Sequence, residues 1–96
     1  MNIEEELDKK RLEIERLAAR HGAFNVRVFG SVVRGESTPE SDIDFLVDTE
    51  PRTSSWFPAG LILDLEELLG RRVEVVTQKG LSPLIRDRVL KEAVPL

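Results

Sequence analysis

The sequence predicts an α/β fold, a small mixed β-sheet flanked by helices. The expected order is helix, strand, helix, strand, helix, strand, helix. Three observations lead there. Residues 25–29, NVRVF, and 42–48, DIDFLVD, alternate apolar and polar side chains, as half-buried strands do. RRVEVVT at 71–77 reads as a third strand rich in valine. The segments between them carry apolar residues at helical spacing or clusters of turn formers.

Taken in order, Ile3, Leu7, Ile14, Leu17, Ala18 and His21 fall near helical spacing, so residues 3–20 form the expected first helix, ended near Gly22. Charge at Lys10 and Arg11 interrupts the stripe. After the 25–29 strand, Ser31 is a candidate N-cap for a short helix reaching Arg34. GESTPES at 35–41 is a loop by its Gly, Ser, Thr and Pro content. In the 42–48 strand, Ile43, Phe45 and Val47 take one face; Asp42, Asp44, Leu46 and Asp48 take the other. A second loop, 49–57, precedes a helix over 58–69 with Leu61, Leu65, Leu68 and Leu69 in a stripe. Pro58 suits its first turn and Gly70 its stop. Ser82 caps a last helix, expected to bury Leu84, Ile85, Val89 and Leu90.

The 96 residues fit a single domain, 1–96, with one modest core. The net charge of −4 argues against bulk nucleic-acid binding, though not against a nucleotide held through metal ions. There is no cysteine, hence no disulfide, thiolate metal site or thiol nucleophile. No apolar run approaches membrane-span length, and the mixed-charge start MNIEEELDKK is unlike a signal peptide. The expected location is cytoplasmic.

The chemistry concentrates in GSVVRGESTPESDID, residues 30–44. Gly30 permits close approach to the backbone, and a helix opening at Ser31 would aim N–H groups and a hydroxyl at the same point, which suits a phosphate. A plain turn with an N-cap fits these two residues as well. Asp42 and Asp44 share a strand face, roughly 6.5–7 Å apart along the strand. Alone they repel; with one or two Mg²⁺ they form a site that keeps positions open for substrate phosphates. A charged, solvent-facing edge is the alternative. Glu74 points opposite to Val73 and Val75, and joins the aspartates if its strand lies beside theirs. There it could accept a proton or complete a metal shell. Arg34 could reach a phosphate tail or pair with a nearby glutamate. Arg72 and Lys79 are weaker phosphate candidates, and Asp48 reads as surface. Trp56 and Phe57 could stack on a base, dock a partner or anchor their loop to the core, while His21, the single histidine, suits a helix C-cap.

Together, Gly30-Ser31, ten residues, Asp42-x-Asp44 and a later acid in an apolar strand resemble the nucleotidyltransferase signature of the DNA polymerase β superfamily. VFGSVVRGESTPESDIDFLV, AGLILDLEELLGRRVEVVT and RVLKEAVPL are similar to the minimal nucleotidyltransferases, the MNT-type antitoxins of HEPN/MNT toxin–antitoxin pairs. The resemblance implies that Gly30 and Ser31 hold a triphosphate, with Arg34 beside them. It implies that Asp42 and Asp44 bind two Mg²⁺, with Glu74 at the third acid position, where the family usually has Asp. The implied reaction is attack of an acceptor hydroxyl on the α-phosphorus of ATP. The implied partner is a HEPN-domain ribonuclease toxin that receives AMP on a tyrosine. Little of the chain remains beyond the core fold, so the acceptor surface is expected from another chain. Two alternatives are a non-catalytic antitoxin acting by occlusion and a small-molecule transferase of the aminoglycoside-modifying kind.

Overall fold

The structure, a computed structural model, describes residues 2–53 and 57–96. Within them five helices and four strands follow one another: α1 (Ile3–Lys9), α2 (Arg11–Arg20), β1 (Ala23–Phe29), α3 (Ser31–Arg34), β2 (Ile43–Thr49), α4 (Ala59–Leu69), β3 (Val73–Thr77), α5 (Pro83–Glu92) and β4 (Val94–Pro95). The strands form one mixed sheet in the order β3-β2-β1-β4. β1 runs antiparallel to β2 and to β4, whereas β2 and β3 are parallel. The α4 helix supplies the crossover that a parallel pair needs.

The alternation in the strands sorts their side chains onto two layers. Ile43, Phe45 and Val47 of β2 lie in the larger core with Ile14, Ala18, Val28, Leu61 and Leu65. Leu46, on the opposite face, packs in a smaller cluster with Leu81 and Val89 of the α5 region. Both faces of β2 are thus covered along its middle, which matches a central strand.

Three expectations are corrected. The first helix is two, because Lys10 leaves helical geometry (φ −98°, ψ 11°) and its ammonium reaches the Leu68 carbonyl at 3.1 Å in the last turn of α4. The cap of α3 is Gly30, with Ser31 as the first helical residue. In α5, Val89 is buried, but Leu84 is 94% exposed and Ile85 is exposed too, so the apolar stripe begins one turn later than its sequence suggests. A strand went unexpected: Val94 and Pro95 pair with Val28 and Arg27 at the sheet edge. Two residues containing a proline carry no alternation to read, and an edge is where a strand proline is tolerated. The remaining caps hold, with Gly70 left-handed after α4 and Ser82 Oγ accepting from the Leu84 N–H at 3.3 Å.

Candidate active site

The site is built at the ends of β1, β2 and β3. The parallel register sets Asp44 opposite Glu74, with Phe45 opposite Val75. On the other flank Asp44 faces Phe29, the last residue of β1. Since Asp44 and Leu46 share a face, α5 covers the Leu46 end and leaves Asp44 half-buried. Glu74 and Asp42 are exposed. The condition placed on Glu74 from sequence is therefore met: its strand lies beside that of the aspartates.

Gly30 follows β1 directly and is buried against this corner. Its φ of +82° lies in the region that favours glycine, and a Cβ built there would overlap the Asp44 carboxylate. Glycine at 30 thus brings the α3 turn into contact with Asp44, which joins the two halves of the sequence motif.

The charges concentrate on one carboxyl. Burial pushes Asp44 up, and the charge of Glu74, a shared hydrogen bond with Glu74 and the charge of Asp42 push further; Arg34 opposes them, and the carboxyl settles at about 6 instead of 3.8. Asp42 makes one long ion pair with Arg72, 3.5 Å, between exposed groups. Among the described residues no three His, Cys, Asp or Glu side chains stand close enough to hold an ion by themselves. The donor set nonetheless fits Mg²⁺, which binds through one or two carboxylates and leaves its other positions to water and substrate phosphate. A strand pair with unneutralised, half-buried acid is also what a hard cation would relieve.

Arg34 and the Gly30 N–H are already engaged. Glu92, at the end of α5, accepts from the Gly30 N–H at 2.8 Å and from Arg34 Nη1 at 2.7 Å. Glu36 accepts from Arg34 Nε at 2.6 Å. Hydrogen bonds to Glu36 and then Glu92 raise the Arg34 pKa still further, so its charge is permanent.

Sequence reasoning overlooked two residues here. Glu92 lies 62 positions from Gly30 and reads as an ordinary surface glutamate. Arg71 sends one guanidinium nitrogen to Ser37 Oγ (3.2 Å), the Thr38 carbonyl (2.6 Å) and the Ser41 carbonyl (2.9 Å). It thereby pins the loop that delivers Asp42. No local pattern announces either contact.

Of the other candidates among the described residues, Arg72 alone touches one of these acids. Arg72 is spent on Asp42, and Lys79 is exposed in the turn after β3. Asp48 is held by Arg27 at 2.7 Å and by Asn25 at 2.9 Å at the far end of β2. His21 is the C-cap residue of α2 and meets Asp64 of α4 at 2.8 Å. Phe57 packs on the main core, as loop anchoring requires; Trp56 lies outside the described residues.

Residues 4–96 match the family model described as a nucleotidyltransferase domain. The chain belongs to the nucleotidyltransferase domain family. Among relatives of this nucleotidyltransferase is protein adenylyltransferase MntA of Thermococcus cleftensis, 44% identical over 78 residues, covering 81% of this chain and 79% of the relative. MJ0435 of Methanocaldococcus jannaschii, provisionally classed as a protein adenylyltransferase, is 41% identical over 75 residues, 78% of this chain and 81% of that one. A solved structure provisionally assigned as a minimal nucleotidyltransferase superposes with a TM-score of 0.84 at 50% identity, over 96% of this chain and 94% of that chain. A toxin–antitoxin structure with AMP-PNP shares the fold at 20% identity, with a TM-score of 0.71 over 92% of this chain and 70% of that one. The nucleotidyltransferase is thus of the minimal, MNT type in family and fold.

Proposed function

We propose that this nucleotidyltransferase is a protein adenylyltransferase that serves as an antitoxin, moving AMP from ATP to a hydroxyl, a tyrosine, of a HEPN-domain ribonuclease toxin in the cytoplasm. The observation that carries this reading is the register of Asp44 against Glu74 with Gly30 touching Asp44, because it gathers the phosphate seat and the acids at one corner. The protein relatives named as adenylyltransferases support the choice of acceptor class. A fold neighbour solved within a toxin–antitoxin pair and with AMP-PNP agrees with both donor and setting.

In this reading residues 1–96 act as one unit. The Gly30 N–H, Ser31 and Arg34 bind and orient the triphosphate, and Asp42 and Asp44 would hold Mg²⁺ against it. When bound there, the metal would supply neutralisation of the phosphate charge. The acceptor oxygen forms a bond to the α-phosphorus while the bond from that phosphorus to the bridging oxygen breaks, and pyrophosphate departs with the electron pair. The hydroxyl proton passes to Glu74, whose exposed carboxylate faces the same cleft. Arg71 holds the loop before Asp42 in place during this exchange.

The test is mass spectrometry, after co-expression, of any HEPN protein found encoded beside this one. A gain of one adenylyl unit on a tyrosine peptide is expected. An unmodified partner that still forms a complex would instead establish neutralisation by occlusion. Transfer to an aminoglycoside hydroxyl and not to protein would establish the small-molecule reading.

A further inference from the structure

We propose that Glu92 is a displaceable stand-in for substrate phosphate: its carboxylate fills the nucleotide seat of the free protein, and a phosphate group of the incoming nucleotide takes the Gly30 N–H and Arg34 from it. The inference rests on the reading of Gly30 and Arg34 as nucleotide-binding residues.

Four observations lead to it. The Glu92 carboxylate uses both oxygens, Oε2 on the Gly30 N–H at 2.8 Å and Oε1 on Arg34 Nη1 at 2.7 Å. An amide N–H and a guanidinium converging on one anion are the donors a phosphate oxygen pair would need. Second, the Glu92 side chain is only 15% exposed, so the carboxylate has been drawn from solvent into the corner behind Gly30. Burial alone would raise its pKa, but the Arg34 and Gly30 hydrogen bonds outweigh that and leave it lowered. The carboxylate therefore stays ionised as an anion in an anion's place. Third, a single N–H serves one strong acceptor well, and a glutamate beside a triphosphate would repel it, so the two occupants exclude each other. Fourth, the displaced side chain has somewhere to go. Arg88 precedes Glu92 by four residues on α5 and is exposed, one helical turn away; its charge already acts on Glu92.

The consequence reaches the chain end. Glu92 is the last residue of α5, and Val94 and Pro95 pair with β1 immediately after it. Filling the seat with nucleotide frees the residue at which α5 passes into this edge segment, so occupancy of the seat is read out at residues 93–96.

The experiment is calorimetric titration of Mg-ATP, without acceptor, into the full chain and its E92Q and E36Q variants. Glu36 holds the same arginine but does not touch Gly30, and so controls for simple loss of charge. E92Q is expected to bind Mg-ATP about ten-fold more tightly, the worth of one charge-assisted contact no longer displaced. E36Q is expected to gain less than about three-fold, since it relieves one partner of Arg34 only. Unchanged or weaker binding by E92Q would overturn the proposal, because Glu92 would then build the seat and not fill it. An equal gain in E36Q would overturn it too. Amide NMR of the wild-type chain gives a check that needs no variant. The Gly30, Glu92 and Ala93 signals should move together on adding Mg-ATP, and movement of Gly30 alone contradicts displacement. The functional reading fails by a different result, retained adenylyl transfer in D44N. Absence of Mg-ATP binding in all three proteins would overturn both.

Discussion

Asp44 of β2 and Glu74 of β3 stand opposite each other across a parallel strand pair, and among the described residues neither forms an ion pair. Burial first, and then the facing Glu74, raise Asp44 and leave the free protein with unbalanced negative charge at this corner. That is costly where net stability is typically about 5–15 kcal/mol, and it suits the proposed receipt of a cation and a polyphosphate.

The first prediction separates function from stability. Asp44→Asn removes one of the repelling charges, so its melting temperature should equal or exceed that of wild type. Its transfer rate should fall by about a thousand-fold or more, the loss of several kcal/mol of charge stabilisation in the transition state. Glu74→Gln should slow transfer by about a hundred-fold if the carboxylate accepts the proton. Thermal unfolding and labelled-ATP assays on the same preparations check both statements. A destabilised, active D44N would remove the metal assignment.

Acidity gives the second. With the Asp44 carboxyl raised from 3.8 to about 6, the folded chain binds more protons than the unfolded chain between those values. The metal-free protein should therefore lose stability as pH rises through about 4 to 6. Glu92 is lowered and contributes in the opposite sense, with stability lost as pH falls through its folded value. The difference between wild type and D44N isolates the Asp44 contribution. Denaturant titrations at several pH values should show the gap in favour of D44N opening from pH 4 to 6, and Mg²⁺ with ATP narrowing it.

The third concerns Gly30. Alanine there meets both an unfavourable φ of +82° and the Asp44 carboxylate. Gly30→Ala should cost about 1–3 kcal/mol and displace Asp44, so nucleotide binding should weaken along with stability. Gly35, also at positive φ but with open space around it, is the control. Gly35→Ala should lose stability without loss of Mg-ATP affinity. Calorimetry and thermal unfolding distinguish the two.

The fourth concerns the loop before Asp42. Arg71→Ala removes three acceptors' shared donor and should lower kcat/KM by about ten-fold while costing about 1–3 kcal/mol of stability. Lysine carries the charge but lacks the planar fork, so Arg71→Lys should restore only part of the activity. Full activity in R71A would show that Asp42 is positioned without the clamp.

Much of this was legible in the order of residues. The strands at 25–29 and 42–48 emerge because alternating side chains meet two different environments, and the glycines at 30 and 70 sit where positive φ is required. Asp42, Asp44 and Glu74 could be grouped because one period-2 strand and one parallel neighbour suffice to align them. What stayed hidden depends on distance along the chain. Glu92 meets Gly30, and Arg71 meets Thr38, through tertiary folding alone. Leu84 shows the converse: an apolar residue of α5 stays almost wholly exposed, because it lies roughly 140° around the helix from the buried Val89. The break at Lys10 coincides with a contact to the Leu68 carbonyl that local charge could not place.

The most direct test of whether Asp42 and Asp44 carry nucleotidyl transfer is the rate of label transfer from α-labelled ATP to the proposed HEPN-domain acceptor, purified. It is compared for wild type, D42N and D44N in saturating Mg²⁺, with folding verified for each. Wild type should transfer label steadily, and both variants should lose about a thousand-fold or more. Wild-type rates in both folded variants would contradict this.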